Sequence, residues 1–172
     1  MRVSSELTPE QTQSRLQILR DALVQITTLP NVHVRQNYAY LDLDGLGVRF
    51  WREKHAGRTF QTELLAGTEV KCTVCAKGAM FLAKVDRNHS LNIEQMRYAL
   101  YDETVCEGLE SDFQKAELDA IDYVFEDSYS EDEAGRYNIE AKRLEASCKG
   151  LTDRKRLVAM LKFLIANNSV VE

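Results

Sequence analysis

The sequence predicts an α+β domain, predominantly helical, with one central buried helix over residues 69–85 and a small β element within residues 31–60. Three observations carry this expectation. Apolar residues recur at three- and four-residue spacing through most of the chain, the period of an amphipathic helix. Residues 31–60 instead show short alternating runs rich in aromatic and β-branched side chains, the pattern of strands. Finally, 172 residues of which 44% are hydrophobic suffice for one core without a disulfide or a metal, so a single domain over residues 1–172 is expected.

The first helix is marked at both ends. In "LTPEQTQSRLQILRDALVQITTL", Thr8 is placed to cap, Pro9 occupies the first helical position and Gln11 lies three residues past the cap. Leu16, Leu19, Leu23 and Ile26 then share a face, and Pro30 ends the element, predicting a helix from about 9 to 28. Val32/Val34, Tyr38/Tyr40 and Val48/Phe50 follow with strand alternation, and Asp44-Gly45 suits a hairpin turn. The glycines here are too sparse for a phosphate-binding loop, and no helix start follows them.

From residue 68 the helical period returns. After the 69–85 helix, "NIEQMRYALYD" predicts a short helix over 92–101. "SDFQKAELDAIDYVFED" predicts another, capped by Ser111 or Asp112, with Ala116, Ala120, Ile121, Val124 and Phe125 inside. "YNIEAKRLEASCKG" reads as a helix stopped by Gly150. The last helix takes Thr152 as its cap and buries Leu157, Met160, Leu161, Leu164 and Ile165.

The 69–85 window contains "KCTVCAKGAMFLAKV", whose Cys72 and Cys75 are spaced as metal ligands or a redox pair. A structural zinc needs four ligands. The other candidates, Cys106, Cys148, His33, His55 and His89, form no second paired motif, so Cys72 and Cys75 support only a minor reading as a zinc-stabilised module. A thioredoxin-like pair would lie beside a downstream cis-proline, whereas Pro9 and Pro30 both precede the motif. On a helical projection Cys72, Cys75, Ala76, Ala79 and Ala83 form a face of small side chains opposite Val70, Val74, Phe81, Leu82 and Val85. Thr73, Lys77 and Lys84 make the polar stripe expected to meet solvent. Packing is therefore the preferred role for the cysteines, which behave as small hydrophobes when buried. No metal and no cofactor is expected.

Charge is divided unevenly. Residues 102–133 hold thirteen acidic residues and one lysine, net −12, while the remainder, with 21 basic and 14 acidic residues, carries +7. An acidic segment of this kind disfavours nucleic acid as a partner, because phosphates need cations opposite them. It points instead to a solvated or protein-binding face, with Asp119, Asp122, Glu126, Asp127, Glu131 and Asp132 as candidate contact residues. On the last helix Phe163 falls on the polar side near Arg156, the composition of an interface anchor. No run reaches the ~18 apolar residues of a membrane span. With four cysteines and no evident signal peptide, a cytoplasmic protein with reduced thiols is expected.

Three islands together, "CTVCAKGAMFLAKV", "ELDAIDYVFED" and "DRKRLVAMLKFLIANNSVVE", resemble small uncharacterised proteins of phages and bacterial mobile elements. Those proteins combine a C-x-x-C-A-x-G-A helix, an acidic helix and a closing helix with Arg-Leu followed by Ile-x-Asn. Asn167-Asn168-Ser169 stands here where that type has Asn-x-Gly. The resemblance implies a phage-type accessory protein in the bacterial host cytoplasm. No activity is established for the type. The expected function is thus non-enzymatic: binding a host or phage protein, and inhibiting or modulating a host defence or regulatory protein through the acidic surface. The alternative is a small enzyme or ligand-binding protein whose concave site gathers several of Arg49, Arg52, His55 and His89 with nearby carboxylates.

Overall fold

The computed structural model describes residues 7–36, 40–42, 59–61, 65–66, 71–92, 95–96, 99–100, 102–126 and 139–167. Helix α1, Pro9–Thr28, begins with the predicted reciprocal cap: the Gln11 amide donates to Thr8 Oγ1 at 3.2 Å and the Thr8 amide to Gln11 Oε1 at 2.9 Å. Strands β1, Val32–Val34, and β2, Tyr40–Asp42, lie within the window expected for the β element. The third strand does not. Lys71–Val74 forms β3, the centre of a three-stranded sheet in the order β1-β3-β2.

This corrects the predicted 69–85 helix. Its helical part, α2, runs Ala76–Asn88, and residues 71–74 pair as a strand. β3 is parallel to β1, with Cys72 opposite Val32 and Val74 opposite Val34. It is antiparallel to β2, with Cys72 opposite Leu41. Thr73 and Val74 are β-branched, so a helix restricts their χ1 and a pleated sheet suits them. A central strand covered on both faces shows a continuous apolar run, which periodicity alone does not separate from a buried helix. The two flanking strands, distant in sequence, supply the hydrogen bonds that decide it.

Further helices among the described residues are α3, Asp102–Leu109; α4, Lys115–Glu126; α5, Ile139–Cys148; and α6, Asp153–Asn167. α3 lies in a stretch for which no helix is predicted, and Gly108 explains its position. A Cβ on Gly108 would stand 2.4 Å from Phe81 Cε2. The glycine therefore lets α3 lie directly on the buried Phe81 ring of α2. α4 begins after Ser111 and Asp112 rather than being capped by them, and Ala116, expected inside, is exposed. Between α2 and α3, Asn92 and Gln95 exchange backbone-to-side-chain hydrogen bonds of 2.8 and 2.9 Å, a second reciprocal cap where a short helix is predicted. α5 is followed by Gly150 at φ +74°, the left-handed stop read from the sequence.

One hydrophobic core gathers Ile18, Leu19, Ala22 and Ile26 of α1, most of α2, and the inner faces of α4, α5 and α6. α2 is central: it meets α1 on one flank and α3 and α4 on others. The chain is a predominantly helical α+β domain, and its sheet is the small element. Among the described residues no helix is long and apolar enough to cross a membrane.

Candidate functional site

Cys72 and Cys75 do not share a helical face. Cys72 is fully buried in the central strand, and Cys75 is the N-cap of α2, its Sγ accepting from the Gly78 amide at 3.4 Å. Burial pushes the Cys72 thiol up to about 12. For Cys75 burial again dominates; the Gly78 amide and the Lys77 charge pull down, while Asp122 and Glu126 push up, leaving the thiol at about 11. A nucleophilic or exchanging thiol needs the opposite shift. Both cysteines are free thiols. Among the described residues no three or more His, Cys, Asp or Glu side chains stand where they could hold a metal ion.

The acidic segment is the larger departure from expectation, because two of its carboxylates, Glu117 and Asp112, are turned inward and a third, Asp122, pairs with a buried lysine. Glu117 is buried on α4 and accepts from Arg15 of α1, with Nε at 3.0 Å from Oε1 and 3.2 Å from Oε2, and with Nη2 closing a second bond to Oε1. The Arg15 guanidinium, 0% exposed, also lies 5.5 Å from the centroid of the Phe113 ring. Asp112 accepts from Ser14 Oγ at 2.6 Å and pairs with Lys84 Nζ at 2.6 Å. Burial pushes the Asp112 carboxyl upward, but bonds from Lys84 and Ser14, the Lys84 charge and the Ser111 hydroxyl outweigh it and hold the group below its ordinary value. Asp122 pairs with Lys77 Nζ at 3.0 Å.

The lysine stripe of α2 is thus not a solvent face. Lys77 is 5% exposed and also reaches Cys106 Sγ at 3.3 Å, and Lys84 also donates to the Gly108 carbonyl at 2.5 Å and to Ser111 Oγ at 2.6 Å. These contacts tie α2 to α3 and α4. Part of the segment's negative charge therefore serves as internal counter-charge.

Of the predicted contact residues, Asp119 is exposed, Asp122 is committed to Lys77 and Glu126 is half-buried. Asp127, Glu131 and Asp132 lie outside the described residues. The acidic surface that α3 and the turn after it present was not among the candidates: Glu103, Glu107 and Glu110 are all exposed at positions i, i+4 and i+7. Their spacing was visible in the sequence, but without α3 it had no meaning.

Of the predicted pair on the last helix, Arg156 donates from Nε to the Leu151 carbonyl at 2.9 Å and from Nη1 to the Phe125 carbonyl at 3.1 Å, binding α6 to the end of α4. Phe163 is half-buried, and Arg143 of α5 lies over its ring at 5.8 Å. The neighbouring helix thus covers part of the aromatic.

One of the described clefts bears a histidine. Between the last turns of α1 and α2 lies a cleft of ≈ 470 Å³ lined by Asp21, Val24, Gln25, Thr28, Leu29, Asp86, Arg87 and His89. Arg87 closes one side, donating from Nε and Nη2 to Asp21 Oδ2 at 2.7 and 2.5 Å. His89 follows α2 in the left-handed conformation, φ 49°, which turns the chain at the cleft edge. The cleft gathers His89 with two carboxylates, while Arg49, Arg52 and His55 lie outside the described residues. No protein-family model, curated protein or solved structure matches the chain.

Proposed function

We propose that this chain is a non-enzymatic module that docks on another protein and modulates it, in the manner of the phage and mobile-element accessory proteins it resembles. Its binding face is acidic and its partner, from host or phage, presents a basic surface. The observation that supports this reading best is the exposed row of Glu103 and Glu107 on the eight-residue α3 and Glu110 just after it, with Asp119 exposed on α4. Like charges four residues apart cost a helix about 0.2–0.5 kcal/mol per pair. The core gains nothing from them, in contrast with Asp112, Glu117 and Asp122, each of which neutralises a cation. Such a row is suited to steering a basic partner and fixing its register.

The test replaces Glu103, Glu107, Glu110 and Asp119 with lysine in the full chain and repeats an affinity pull-down from host lysate. The reading expects one partner to be lost from the variant, at unchanged melting temperature, and that partner's capture to weaken as salt is raised. Capture of the same partner by the fourfold variant would sink the acidic-face reading.

A further inference from the structure

The hairpin of α5 and α6 carries a basic surface. Residues 139–167 hold seven basic and three acidic residues, net +4, whereas residues 102–126 hold nine acidic residues and one lysine, net −8. Lys142, Arg143, Lys149, Lys155 and Lys162 are exposed, while Glu145 and Asp153, the carboxylates among residues 141–167, are half-buried. Arg15, Lys77, Lys84 and Arg87 are each drawn to a carboxylate, but these four lysines enter no ion pair among the described residues. The hairpin is antiparallel: Arg143, near the start of α5, reaches Asn167 Oδ1 at the end of α6, 3.4 Å away. Lys142 and Lys162 therefore stand toward one end of it, and Lys149 and Lys155 toward the other. Seven residues make about two helical turns, so within each helix the two lysines share a face, with about 10 Å of rise between them.

The same spacing recurs with the opposite sign. Glu103 and Glu110 are also seven residues apart, with Glu107 between them, and all three are exposed. α3 packs on α2, whereas α5 packs on α4 and α6. No ion pair among the described residues joins the acidic row to the hairpin. One molecule thus displays two surfaces of opposite charge and matched spacing, and neither neutralises the other within the chain.

We propose that the basic face of the α5–α6 hairpin docks the acidic row of a second copy of this chain. α3 of one copy lies along the hairpin of the other, with Glu103 and Glu110 against the two lysine pairs and Glu107 between them. The match of charge and spacing selects this occupant. A nucleic-acid duplex carries a phosphate about every 3.4 Å along each strand, so lysines about 10 Å apart would leave most of them unmatched. Contacts between exposed charges are individually weak, which makes the association reversible and sensitive to salt. The inference uses the acidic row of the docking reading but not its foreign partner, and that partner would compete with the second copy for the row.

The experiment measures the average mass of the purified full chain by sedimentation equilibrium at concentrations up to about 1 mM, the weak limit of specific association. It compares about 0.01 M with about 1 M salt, across which the screening length falls from about 30 to about 3 Å. The mass should rise with concentration in low salt and return to that of one chain in high salt. Saturation at two copies means reciprocal pairing and continued growth means head-to-tail addition, and either supports the proposal. Two charge-reversed chains then test the faces: one with Lys142, Lys149, Lys155 and Lys162 replaced by glutamate, the other with Glu103, Glu107 and Glu110 replaced by lysine. All seven positions are exposed, so both variants should melt as the wild type does. Each alone should stay monomeric, and the two mixed should associate, because the intact acidic row of the first meets the intact hairpin of the second. A wild type that stays monomeric in low salt, undiminished association of either folded variant, or a mixture that stays monomeric overturns the proposal. So does retardation of an oligonucleotide by the wild type and not by the lysine-reversed chain, which would assign the basic face to a polyanion. No other protein is present, so failure here leaves the pull-down of a foreign partner untouched, and the lysine-reversed chain should still capture that partner.

Discussion

The buried Arg15–Glu117 pair makes the sharpest demand on stability. Replacing Glu117 with glutamine removes the counter-charge and keeps the shape, leaving a guanidinium that is 0% exposed with Nη1 already unpartnered. Breaking a buried pair from one side costs about 3–5 kcal/mol, because the surviving charge stays desolvated. At about 2–4 °C per kcal/mol for a chain of this size, the melting temperature should fall by roughly 6–20 °C. The double variant Arg15→Met, Glu117→Leu removes both charges and fills the space with apolar atoms. It should recover most of the loss, since apolar replacement of a whole buried pair is often neutral or stabilising. Urea unfolding followed by circular dichroism on the wild type, Arg15→Met, Glu117→Leu and the double variant closes the cycle, with Glu117→Gln measured beside it. A Glu117→Gln cost below about 1 kcal/mol, the level of an exposed pair, would refute the reasoning that part of the acidic segment is internal.

Two further outcomes follow from the core. Because the Cys72 and Cys75 thiols are raised to about 12 and about 11 from 9.0, the folded chain keeps protons that the unfolded chain releases. Their contribution is complete below pH 9 and is lost as pH rises from there toward the folded values, at about 1.4 kcal/mol per pH unit for each thiol. Denaturant midpoints measured from pH 8 to 10.5 should fall less steeply for Cys72→Ala than for the wild type, and parallel curves would contradict the burial. Gly108→Ala should destabilise by about 1–3 kcal/mol despite alanine's better helix propensity, because its Cβ would meet the Phe81 ring at 2.4 Å. Made in a Phe81→Leu background, the same substitution should become neutral or stabilising, which thermal melts of the four proteins would show.

Local signals in the sequence marked several elements directly. The Thr8–Gln11 cap, Pro9 and Gly150 act through bonds and backbone angles within a few residues, so α1 and the stop after α5 were legible where they stand. The apolar stripe of α6 was equally readable, and Leu157, Met160, Leu161 and Leu164 are buried as expected. Burial of Cys72 followed from the apolar density of its window, although the element that holds it did not.

What the sequence by itself determined was composition of the core and the local grammar of helix ends: a mostly helical domain, its first and last helices, and a central apolar segment containing Cys72. Tertiary structure decided everything that depends on a distant partner. Residues 71–74 became a strand because β1 and β2 arrive to bond them: Val34 and Val74, 40 positions apart in the chain, stand opposite each other in the sheet. Lys77 and Lys84 turned inward because Asp122 and Asp112 neutralise them from other elements, and Phe163 lies under Arg143 of the neighbouring helix. Periodicity records which side chains are apolar. The destination of a charged one is set by whether an opposite charge awaits it, and that is a property of the folded chain.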